Sequence, residues 1–66
     1  MADIWAANVA GKLFYHGIKQ KDVAEKMGVT RQYVGMILKG ERAPEGGRER
    51  IEAAVDEIIK EKATQN

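Results

Sequence analysis

Residues 20–39 read QKDVAEKMGVTRQYVGMILK, and this stretch decides how the chain folds. Val23, Ala24 and Met27 stand at i, i+1 and i+4, which puts them on one face of a helix. Val34, Ile37 and Leu38 stand at i, i+3 and i+4 and give a second helix its apolar face. Only Gly28, Val29 and Thr30 separate the two. Gly28 can take the left-handed backbone that ends a helix without strain from a side chain. Thr30 can cap the next helix by accepting a hydrogen bond from one of its free amides. A connection this short makes the two helices pack against each other at a steep angle. Ala24 supplies a small side chain where they touch, and Val23, Met27, Val29, Val34 and Ile37 fill the angle between them.

Outward from this pair the chain reads as further helix punctuated by glycine. Upstream, the spacing predicts a helix from about Asp3 to Tyr15 or His16, with Asp3 as N-cap and Gly17 as C-cap. Trp5, Val9 and Leu13 recur every fourth residue as its inward stripe, with Ala6, Ala10 and Phe14 beside them and Trp5 as the main core anchor. Gly11 is either a mild defect in this helix or a close-packing point. Ile18 should point into the core, and the second helix starts at Lys19 or Gln20. Downstream, Gly40 ends the third helix, and a loop runs from Glu41 to Gly47. The last helix is expected over about Arg48 to Lys62, where Ile51, Ala54, Val55, Ile58, Ile59 and Lys62 form one stripe and the acidic residues a solvated opposite face. Thr64, Gln65 and Asn66 should fray. No stretch alternates as a strand would. The expectation is an all-α fold, a single four-to-five-helix domain over residues 1–66.

Composition narrows the function. The chain has 66 residues and 44% hydrophobic residues, so it suits one small domain that buries roughly 60% of its unfolded surface. With no Cys and a single His, a disulfide framework, a cysteine-ligated metal and a multi-histidine site are excluded. The chain contains no Ser, so no Ser/His/Asp set exists, and Gly46-Gly47 lacks the context of a phosphate-cradling loop. His16 reads as a surface or capping residue. No catalysis and no cofactor are expected. There is no apolar run that would span a membrane and no signal peptide, so the expectation is a cytoplasmic protein without a membrane partner. The net charge is +1, but it is unevenly spread: residues 1–42 carry +3, residues 43–66 carry −2, and Lys19 to Arg42 holds six basic against three acidic residues. That excess suits a polyanion without requiring one.

The segment GIKQKDVAEKMGVTRQYVGMILKGERAP, Gly17 to Pro44, resembles the Xre-type or lambda-repressor-like helix-turn-helix regulators, and is similar to small phage-type regulators. Two features depart from the family pattern. Lys19 stands where Thr or Ser often caps the second helix, and the last two helices of the usual five are merged, with a glycine-rich loop before them. The resemblance implies a lambda-repressor-like fold and a sequence-specific, double-stranded-DNA-binding transcription regulator that acts as a repressor. The helix from Thr30 to Lys39 would then lie in the major groove. Arg31, Gln32, Tyr33 and Met36 would meet bases: Arg31 can fork onto guanine, Gln32 can pair with adenine, and Met36 or the Tyr33 ring can touch a thymine methyl. Gln20, Lys19, Lys21, Thr30, Gly35, Lys39 and Arg42 would lie at the backbone, Gln20 aided by its helix N-terminus and Gly35 by letting the groove come close. Tyr33 sits at the margin and can instead aim its hydroxyl at a phosphate. A homodimer on DNA is implied, with Ile58 and Ile59 either at the dimer contact or covering the core, and no small-molecule ligand. The competing readings are an antitoxin or recombination accessory factor, and a protein–protein adaptor that has kept the fold.

Overall fold

The computed structural model describes residues 4–64, and the order of elements is α1 (Ile4–His16), α2 (Gln20–Met27), α3 (Arg31–Lys39) and α4 (Gly47–Ala63). The expected N-cap, Asp3, and the terminal Gln65 and Asn66 lie outside the described residues. Thr64 caps the end of α4, its Oγ1 donating to the Glu61 carbonyl at 3.0 Å. No described helix is long and apolar enough to cross a membrane.

The turn between α2 and α3 is built as the residues require. Gly28 has φ 75°, its N–H reaches the Glu25 carbonyl at 3.2 Å, and the Val29 N–H reaches Ala24 at 3.0 Å. This paired closure satisfies two carbonyls that the helix end would otherwise leave open, and folds Val29 back against the core. Thr30 then caps α3, its Oγ1 accepting from the Tyr33 N–H at 3.1 Å. At α2 the weak cap, Lys19, is compensated. A lysine side chain cannot accept, but the Asp22 carboxylate accepts from the Lys19 backbone N–H at 3.0 Å, which is half of a capping box.

The core draws on every helix: Val9 and Leu13 from α1, Ile18 before α2, Val23 and Ala24 from α2, Val34, Ile37 and Leu38 from α3, and Ile51, Ala54 and Val55 from α4. Val23, Val34 and Ile51 are fully enclosed. Met27, Val29, Tyr33, Ile58 and Ile59 pack against this core from its margin. Trp5 does so too, and is therefore a rim residue rather than the central anchor. Its indole Nε1–H donates to Glu52 at 2.5 Å, and the Arg48 guanidinium lies 4.7 Å over its ring. Gly47 opens α4 where Pro44 presses in: a Cβ there would lie 2.8 Å from Pro44 Cγ, so no larger residue fits.

Two expectations about faces and one about bounds are corrected. Phe14 does not join the inward stripe; it is exposed, as is Ala10, because the inner face of α1 is Ala6, Val9 and Leu13. The acidic side of α4 is more than a solvated face. Asp56 pairs with Lys12 at 3.3 Å, and Glu61 and Glu57 meet Lys26 at 2.5 and 3.8 Å. These contacts tie α4 to α1 and α2. The last helix also starts one residue earlier and ends one later than expected.

Candidate nucleic-acid interface

The core assigns the outward face of α3 by elimination. With Val34, Ile37 and Leu38 turned inward, helical geometry leaves Arg31, Gln32, Gly35, Met36 and Lys39 on the far side. These five line one open depression together with Gln20 and Glu41. Arg31, Gln32 and Lys39 are exposed, while Gln20, Gly35 and Met36 are half-buried. Six residues expected from sequence to touch DNA are thus neighbours on one surface.

Gly35 and Gln20 are neighbours across the two helices. A Cβ on Gly35 would meet Gln20 Oε1 at 3.5 Å. That is an ordinary contact distance, so the Gln20 side chain of α2 lies directly over the backbone of α3 at Gly35. Gln20 is the first residue of α2 and Arg31 the first of α3, so two helix N-termini open at this surface. Amides in a first helical turn have no intrahelical acceptor, and the helix dipole adds partial positive charge there. Arg31 and Lys39 contribute full charges at opposite ends of the same helix. The surface offers donors and positive potential for an anionic backbone, with the Gln20 and Gln32 amides able both to donate and to accept.

The remaining expected site residues stand elsewhere. Lys19 and Lys21 are exposed at the start of α2 and do not line the depression. Thr30 is occupied in capping α3. Tyr33 is half-buried and packs against the core, outside the depression. Arg42 lines a separate hollow with Gly40, Ala43, Pro44 and Arg48. Of the basic residues expected at the DNA backbone, Lys39 lines the depression. Lys26 is also drawn off: its ion pairs turn it to α4, so part of the basic excess of residues 19–42 serves the fold.

One lining residue was missed. Glu41 brings a carboxylate to the edge of an otherwise basic and amide-rich surface. It arrives there because the end of α3 closes like the end of α2. The Gly40 N–H reaches Ile37 and the Glu41 N–H reaches Met36 at 2.9 Å, which turns residue 41 back over the last helical turn. Glycine at position 40 is the signal in the sequence: the residue after such a cap doubles back.

Comparison with known proteins gives one match. A family model described as helix-turn-helix covers residues 16–48, half of the chain and the whole of the α2–α3 pair. No curated protein and no solved structure matches.

Proposed function

The chain belongs to the helix-turn-helix family of DNA-binding regulators, of the Xre or lambda-repressor-like type, and from that membership we propose that it reads one double-stranded DNA sequence and represses transcription by occupying it. The observation that carries this reading is the shared surface of Gln20, Arg31, Gln32, Gly35, Met36 and Lys39. Helix α3 enters the major groove. Arg31, Gln32 and Met36 reach base edges, with the guanidinium fork suited to guanine, the amide to adenine and the thioether to a thymine methyl. Tyr33 meets a base or a phosphate from the rim. Gln20, Lys19, Lys21, Thr30, Lys39 and Arg42 hold the phosphates, and Gly35 lets the backbone of α3 approach closely. These contacts fix register and affinity, and the base contacts fix sequence. The protein acts by occupancy and carries out no reaction.

A module of this size covers roughly 600–1,000 Å² of interface. Two copies on half-sites about 34–36 Å apart would supply the affinity that one copy lacks. The test is selection of bound duplexes from a random pool, followed by sequencing. An enriched palindrome with half-sites about 10 base pairs apart supports a paired sequence reader. Absence of any enriched sequence would overturn sequence reading and favour the adaptor.

A further inference from the structure

Helix α1 is apolar on both sides. Its inner side is in the core, and its outer side carries Ile4, Ala7, Ala10, Gly11, Phe14 and Tyr15, all exposed and none charged. Ile4, Phe14 and Tyr15 are 80, 89 and 83% exposed. The Tyr15 ring lies edge-on to the His16 ring, with centroids 5.0 Å apart. Gly11 has no explanation within the chain: a Cβ there would meet nothing within 4 Å, yet glycine inside a helix costs about 1 kcal/mol relative to alanine. Empty space over a bare backbone suits the close approach of another helix.

We propose that this face of α1 is an interface between two copies of the chain, their α1 helices packed antiparallel about a two-fold axis at the level of Val9. An isologous contact requires a surface complementary to itself. About that axis Ala7 of one copy falls opposite Gly11 of the other, so small meets small at the crossing. Ile4 falls opposite Phe14, so large meets large on each side, and Tyr15 closes the rim.

The area is adequate. Two such rings bring roughly 300–500 Å² per copy. With Ile4 and the small residues between, a pair buries on the order of 1,200 Å², the lower bound for specific interfaces. A lipid surface fits less well, because interfacial helices carry Lys and Arg along their polar face. The one basic residue among those described in α1, apart from His16, is Lys12, which is paired with Asp56. None of the six residues lines the depression on α2 and α3, so pairing leaves that surface open. The inference deepens the two-copy part of the proposed function and does not depend on which sequence is read.

The experiment is sedimentation equilibrium of the full chain without DNA, across the micromolar to millimolar range. The expected result is a dimer with a micromolar dissociation constant, weakened about tenfold or more by Phe14→Glu and by Gly11→Leu, both with unchanged helical circular dichroism. A wild-type chain that stays monomeric throughout would overturn the interface. So would variants that dimerise as the wild type does, since the contact would then lie elsewhere. Binding of Phe14→Glu to a single half-site duplex separates the two readings. Retained binding leaves DNA recognition intact whatever the dimer does. If the variants lose the dimer while no form binds DNA, the interface stands and the DNA reading fails.

Discussion

Helices α1 and α3 turn one face each to the same core, and they differ in what the other face presents. On α3 the outer face is Arg31, Gln32 and Lys39, which carry hydrogen-bonding patterns and charge, with Gly35 and Met36 between them. On α1 it is apolar, with two aromatic rings and an isoleucine in solvent. A polar outer face can discriminate among ligands by the donors and acceptors it aligns. An apolar one can only be covered, and its selectivity is a matter of shape. The two glycines follow the same division: Gly35 has Gln20 of the same chain over it, whereas Gly11 faces nothing of its own.

The comparison breaks most sharply at the core. Val34→Asp buries an unpaired carboxylate at a fully enclosed site. It should cost all of the roughly 3–5 kcal/mol available to a domain this small, seen as loss of the far-ultraviolet helix signal. Phe14→Glu makes the same kind of change on the outer face of α1 and should leave that signal intact. Equal damage from both would mean that α1 is seated the other way round. Next is Arg31→Ala, expected to cost about 1–3 kcal/mol on the preferred duplex and to relax preference at one base pair, measured by competition between duplexes. Equal loss on random DNA would place Arg31 on phosphate alone.

Smaller effects sharpen the contrast. Gly11→Ala should raise the stability of the dilute monomer by about 0.5–1 kcal/mol in urea unfolding, because nothing in the chain occupies the added methyl's space. A destabilised variant would show that Gly11 packs internally. Lys39→Ala should weaken all sequences alike and reduce the salt slope of binding by about one. An unchanged slope removes Lys39 from the phosphate contacts.

The smallest effect concerns the tie from α2 to α4. The Glu61 hydrogen bond, with the Glu61 and Glu57 charges, raises the Lys26 pKa above its ordinary value. A lysine raised on folding stabilises the fold below its unfolded pKa and loses that contribution as pH rises through the folded value. The difference in melting temperature between the wild type and Lys26→Gln should therefore be steady near neutral pH and shrink in strong alkali. A constant difference would mean that Lys26 acts through its packing alone.

How much of this could be read in the sequence follows from the same contrast. The α2–α3 pair was legible because its signals agree: Gly28 and Gly40 stop helices, Thr30 starts one, and the apolar positions recur on one face only. The outward residues of α3 then followed by exclusion. The first helix was not fully legible because apolar residues fall on its outer side as well as its inner one. Phe14 fits a stripe as well as Leu13 does when Asn8 and Lys12 mark only one flank, and the position of α4 decides between them. The partners of the α4 acids were hidden for a different reason. Lys12 and Asp56 are 44 positions apart and Lys26 and Glu61 are 35 apart, pairings that need the assembled fold. Glu41 lay between, since glycine at 40 announced its direction but not what it would face.

Trp5 bridges α1 and α4 and is the only tryptophan in the chain. Its indole hydrogen is held by the Glu52 carboxylate and its ring is stacked under the Arg48 guanidinium. Both partners are in α4, so the fluorescence of this one residue reports the seating of α1 without any added label. No tryptophan lies in α2 or α3, so the signal is blind to the surface that faces DNA. An emission change at lower denaturant than the loss of helicity would identify α1 as an arm that lifts away while the remaining helices stay folded. Coincident changes would make the four helices one cooperative unit.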